Sequence, residues 1–143
     1  MPVKGLPQLL IINYQLLAMS KTFLYILLIA ILTGIAQLFL PWWVGILVAA
    51  AIGLLVDFKQ KRAAFLIGFG GMASLWLACL LWIDIRSRFI LSSKIAAIFS
   101  LPIGTAGSWI LTALVAGISG GLGALTGNLL RRIFIKPKRG YFY

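Results

Sequence analysis

Four apolar blocks, separated by short clusters of charge, proline and tryptophan, set the pattern of this chain. The first, 23–40 (FLYILLIAILTGIAQLFL), is entered from Lys21 and closed by Pro41, Trp42 and Trp43. Paired tryptophans after such a block mark a membrane interface. The second, 41–56, is short, but with Pro41 as first helical residue it makes about 24 Å of helix at 1.5 Å per residue. That length crosses a bilayer with some local thinning. Asp57, Lys59, Lys61 and Arg62 form the next turn, and 63–83 (AAFLIGFGGMASLWLACLLWI) is the third and clearest span. The fourth runs over 105–130 and ends in the basic tail 131–143, RRIFIKPKRGYFY, whose closing aromatics suit the headgroup layer.

Two segments fall outside this pattern. Residues 84–101 are less apolar and carry Arg86, Arg88 and Lys94. With Ser92 or Ser93 as N-cap they predict a short helix KIAAIF before Pro102, lying on the membrane. At the N-terminus, 9–18 is apolar but too short to span, and Met19 begins MSKTFLYILL, which itself looks like a start. The piece is either an interfacial segment or lies upstream of the true start. A signal peptide cut after Gly34 and Ala36 is disfavoured, because apolar sequence resumes at Leu38.

Composition turns the blocks into a class. Of 143 residues, 62% are hydrophobic and 10% charged, with a mean hydropathy of +1.09, whereas soluble domains carry about 25% charge. The expected fold is all-α: a single membrane domain over 1–143, a bundle of four transmembrane helices with a short interfacial helix between the third and fourth. Each crossing uses about 20 residues, which leaves no room for a catalytic head.

Net charge is +11, from 13 Lys and Arg against two Asp. In a soluble protein that balance would point to nucleic acid. Here the cations cluster at the ends of apolar blocks, where they orient helices and meet anionic headgroups, Arg131, Arg132, Lys136, Lys138 and Arg139 above all. No nucleic-acid partner is expected. Counting cations on alternate sides places Lys4, Lys21, Lys59, Lys61, Arg62 and the five of the tail on one side, and Arg86, Arg88 and Lys94 on the other. That bias predicts cytoplasmic N- and C-termini. The lone Cys79 excludes an intramolecular disulfide, and the lack of histidine removes the commonest haem and transition-metal ligand. No cofactor is expected.

The stretch GISGGLGALTGNLLRR, 117–132, has the glycine density of a phosphate loop, but neither GxxxxGK[ST] nor GxGxxG between strand and helix is present. On a helix the fourth block divides by size. Leu111, Leu114, Val115, Ile118, Leu122, Leu125 and Leu129 share one flank; Ala113, Ala116, Gly117, Gly120, Gly121, Gly123, Ala124 and Gly127 share the other. Gly117 with Gly121 and Gly123 with Gly127 are GxxxG pairs that admit a neighbouring backbone. Matching small residues are Gly45, Ala49 and Gly53 in the second block, and Gly70, Ser74 and Ala78 in the third. Beside the glycines, Thr105, Thr112, Ser119 and Thr126 recur every seven residues. Such a line is either a hydroxyl path for water, ions or a polar solute, or a set of interhelical or back-bonded hydroxyls; the second reading is favoured.

Asp57 and Asp84 fall at block ends, unlike the buried carboxylate of a proton-coupled pump. Asp84 is expected to pair with Arg86 and Arg88 on the outer surface. Gln37 and Asn128 lie close enough to an interface to be solvated.

Four short spans, the PWW turn and a glycine-rich last helix closing in LLRR resemble small uncharacterised four-helix bacterial inner-membrane proteins. The resemblance covers most of the chain and implies a fold and a bacterial membrane, with no activity attached. GGLGALTGNLLRR is also similar to the glycine-rich helix of fluoride channels, where the comparable segment opens the chain instead of closing it. Small multidrug exporters share the size but carry a membrane-embedded glutamate that this chain lacks. The residues support no nucleophile, base and oxyanion donor together. The expected function is non-enzymatic: an accessory or scaffold subunit packing through its glycine face in its own bundle or against other membrane subunits. The alternative is a small homo-oligomeric channel or transporter with a hydroxyl-lined path.

Overall fold

A computed structural model of the chain describes residues 6–58, 60–100 and 103–134. These residues fold into five helices without strands: α1 Leu6–Gln37, α2 Val44–Leu55, α3 Lys61–Arg86, α4 Ile90–Ile98 and α5 Thr105–Phe134. Three of them, Leu10–Gln37 within α1, α3 and α5, are long and apolar enough to cross a membrane. Lys59 and the tail beyond Phe134, with Lys136, Lys138 and Arg139, lie outside the described residues.

The N-terminal piece and the first apolar block form one helix of 32 residues. No proline or glycine occurs between Gln8 and Thr33, so nothing interrupts its backbone ladder at the polar Ser20–Lys21–Thr22 step. α1 ends at Gln37, whose side-chain amide donates to the Trp42 carbonyl at 3.1 Å and closes the turn.

Pro41 does not begin α2. The amides of Val44, Gly45 and Ile46 bond three residues back, to the carbonyls of Pro41, Trp42 and Trp43. Such a 3₁₀-type turn precedes the α-helix proper, which has 12 residues and is about 18 Å long. At its other end Val56 turns extended. Phe58 folds back into the core, edge-on to Tyr25 at 5.6 Å.

α4 starts earlier than the serines suggest. Arg88 and Phe89 adopt left-handed backbone conformations, with φ of 52° and 62°, and reverse the chain straight after α3. Ile90 therefore opens the helix and Ser92 lies inside it. Gly104, at φ 57°, makes the second reversal, into α5, and is the residue type that tolerates this backbone best.

α5 packs on both α2 and α3, α1 packs on those same two helices, and α2 and α3 themselves barely meet. Gly123 lies over Ile46 and Gly127 over Ala50, so α2 and α5 run parallel; Gly121 lies over Phe65 and Gly117 over Phe69, so α3 and α5 run antiparallel. A small core of Ile29, Ala49, Ile52, Phe58, Ala64, Ile67, Met72 and Ala124 joins the four helices. Outward positions are apolar as well: Phe39 is 85% exposed and Leu38 78%. Such a surface suits lipid tails better than water.

Candidate functional site

The glycines of α5 are consumed inside the bundle. Gly117, Gly120, Gly121, Gly123 and Gly127 are all buried, as are Ala116 and Ala124. Their neighbours come from two helices: the rings of Phe69 and Phe65 cover Gly117 and Gly121, Met72 covers Gly120, and the carbonyls of Ile46 and Ala50 cover Gly123 and Gly127. The approach is mutual, since Gly53 of α2 sits beneath the Ala124 carbonyl and Gly68 of α3 beneath that of Gly120. Backbone against backbone at this range requires the missing Cβ. Leu114, Val115, Ile118, Leu122 and Leu129 on the opposite flank are between 37% and 59% exposed.

On α2, Ala49 is fully buried, while Gly45 faces Thr33 of α1 and Met72 of α3 instead of α5. On α3 the small residues that meet α5 are one register away from the expected ones. Gly70 is covered by Ile26 of α1, and Ser74 and Ala78 are exposed. Ala64 and Gly68, both buried, take the inner face. Positions 68 and 70 lie about 200° apart on a helix, so only one can face α5. Ala64 with Gly68 is an i, i+4 small pair of the same kind as Gly70 with Ser74.

The heptad line divides. Ser119 and Thr126 donate to their own helix, to the carbonyls of Val115 and Leu122, each at 2.8 Å. The Thr105 carbonyl accepts from Ser108 at 2.7 Å. Thr112 and Ser119 together line a side-opening groove of about 330 Å³, otherwise walled by apolar groups such as Trp42, Ile46, Met72 and Trp76. Thr105 and Thr126 lie outside it. The groove exists because α2 is shorter than α5 and leaves the upper part of that helix bare.

Two polar nodes emerge that the sequence did not announce. Asp84 is fully buried and makes no pair with the neighbouring arginines. Its carboxylate accepts from the Ser92 hydroxyl, from the Ser92 amide at 3.3 Å and from Trp109 Nε1 at 2.7 Å. The guanidinium of Arg86 instead lies over the Trp82 ring, 4.9 Å from its centroid. Donors from α4 and α5 thus converge on the last turn of α3. Three donors make this carboxylate an anchor, and a buried carboxylate needs such partners.

The second node closes the opposite end. Arg131 donates to the carbonyls of Leu54 and Leu55 at 3.0 and 2.8 Å, and Arg132 to that of Phe58 at 3.0 Å. Asn128, fully buried, makes a long contact to the same Phe58 carbonyl at 3.5 Å. The last carbonyls of α2 have no helical partner, and a cation there also meets the negative end of the helix dipole. Arg131 and Arg132 are therefore engaged within the fold before any headgroup is considered.

Among the described residues no group of three His, Cys, Asp or Glu could hold a metal ion. No protein-family model, curated protein or solved structure matches the chain.

Proposed function

We propose that this chain is a non-enzymatic, multi-pass protein of a bacterial inner membrane, serving as an accessory or scaffold subunit of a larger membrane assembly. In this reading α1, α2, α3 and α5 are the four membrane helices, α4 lies at the interface, and both termini are cytoplasmic, as the cation bias favours. The glycine face builds the bundle itself, so contact with other subunits has to use another surface.

The first half of α1 carries the proposal. Every described side chain from Gln8 to Leu24 is exposed, among them Leu10, Ile11, Leu16, Leu17, Met19 and Phe23. This amounts to about 26 Å of helix whose described side chains stay exposed instead of entering the bundle. A helix of that length gains most of its stability from a partner or from lipid. The groove at Thr112 and Ser119 favours the second reading, a homo-oligomeric channel or transporter, in which copies join around those hydroxyls.

Purification of the tagged full chain at endogenous level distinguishes these readings. The accessory role predicts a stable hetero-complex that Leu16→Ala with Leu17→Ala releases without lowering the thermal stability of the chain. A self-assembled oligomer that passes a solute in liposomes would transfer the lead to the channel.

A further inference from the structure

We propose that the basic end of the α3–α5 seam is a binding site for one anionic phospholipid. A groove of about 380 Å³ runs between the two helices there, lined by Lys61, Arg62, Phe65, Leu66, Leu125 and Leu129. Four of its six walls are apolar, and its two cations sit together at one end. A polar recess formed by Gln60, Lys61 and Arg62 adjoins it, so the same two cations belong to both spaces. An apolar trough ending in paired cations and a polar recess has the layout of an acyl chain joined to a phosphate.

Charge selects an anion. The chain has 13 cations against two carboxylates, so intramolecular pairing cannot neutralise this end. Asp84 is engaged at the far end of α3 by Ser92 and Trp109, and Asp57, the carboxylate at this end, is exposed and pairs with neither Lys61 nor Arg62 among the described residues. Both α5 cations at this end are occupied, Arg131 by the carbonyls of Leu54 and Leu55 and Arg132 by that of Phe58. Among the described residues, Lys61 and Arg62 are thus the cations that line both the groove and the recess. They also open α3, whose N-cap Gln60 provides no side-chain cap, which leaves the positive end of the helix dipole beside the recess. The groove wall is exposed where an acyl chain would enter, with Leu66 63% and Leu129 37% exposed.

The site rests on the membrane part of the proposed function and not on the accessory role. Retention of the chain in carbonate-washed membranes checks the former separately. The test is native mass spectrometry of the full chain in neutral detergent, titrated with phosphatidylglycerol, with phosphatidylcholine of the same acyl chains, and with glycerol phosphate. Phosphatidylglycerol should bind and the other two should not. Lys61→Gln with Arg62→Gln should weaken binding about thirtyfold, from the attraction of two surface cations for anionic lipid. Arg88→Gln with Lys94→Gln, the same charge loss at the opposite end, should change it less than twofold. Leu125→Trp, which fills the trough and leaves the cations in place, should also abolish it. Unchanged binding in the first variant, or an equal loss in the second, overturns the proposal. So does binding of glycerol phosphate as strongly as of the lipid, which would mean an anion site without a chain.

Discussion

Trp109 Nε1 donates to the Asp84 carboxylate at 2.7 Å, across 25 positions of sequence, and so ties the start of α5 to the end of α3. Ser92 adds α4 to the same oxygens. Hydrogen bonds to a charged acceptor contribute about 1.5 to 3 kcal/mol each. Trp109→Phe keeps an aromatic side chain, smaller than the indole, and removes the donor, so it should lower stability by at least about that amount in a detergent thermal melt. Hydrogen exchange should rise in α4 before it rises in α3. An unchanged melting temperature would show that the carboxylate is not what holds this corner.

At the opposite end, Arg131 should act through α2. Arg131→Gln removes the cation from the Leu54 and Leu55 carbonyls and should cost about 1 kcal/mol, the range for a cation at a helix C-terminus. Amide exchange should increase in the last turn of α2. Equal exchange in both proteins would return Arg131 to a purely lipid-facing role.

Glycine tolerance should follow what each position meets. A Cβ at Gly127 would run into the Ala50 carbonyl and the Leu54 amide, both backbone, whereas one at Gly34 would reach only Leu75 Cδ1 at 3.4 Å. Gly127→Ala should cost about 1 to 3 kcal/mol, as overpacking does. Gly34→Ala should be neutral or slightly stabilising, since alanine is the better helix former. Thermal stability of the two variants side by side is the measurement, and equal values would mean that α2 and α5 are further apart than this contact requires.

Part of this architecture is legible in the sequence because lipid-scale helices need long apolar blocks, and the charges between those blocks leave few places to end them. The division of α5 into bulky and glycine flanks is equally visible, since size alone separates Ile118 from Gly117 and Gly121. The α3 register is not visible. Ala64 with Gly68 and Gly70 with Ser74 are both small pairs four apart, and only packing against Gly120 and Ala124 of α5 on one side and Ile26 of α1 on the other chooses between them. Asp84 also misleads: beside Arg86 and Arg88 it reads as a surface charge, and its burial arises from Ser92 and Trp109, which the chain brings to it by two left-handed reversals. The continuity of α1 is hidden behind the polar step at Ser20 to Thr22, which breaks the hydropathy but not the backbone ladder.

The length of α2 leads to a last expectation, about how deep the α1–α2 hairpin reaches if the bundle sits in a bilayer as proposed. α2 has 12 residues, about 18 Å, and the 3₁₀-type turn before it adds only a few ångströms. The hydrocarbon core is about 30 Å thick. α3, with 26 residues, is about 39 Å long and reaches across. Because the C-terminal end of α2 is fixed to Arg131 at the basic side, the missing length falls at the tip, where Leu38, Phe39, Leu40, Trp42 and Trp43 are all exposed and apolar. The tip should then end within the far leaflet instead of emerging from it. In a Cys79→Ser background, an impermeant maleimide added to that side should label Ser87→Cys readily and Leu40→Cys at least about tenfold more slowly, because a thiol in hydrocarbon does not form the reactive thiolate. Both should react alike once the protein is unfolded in detergent. Equal rates in the intact membrane would place the tip at the water surface and require the bilayer to thin around the hairpin.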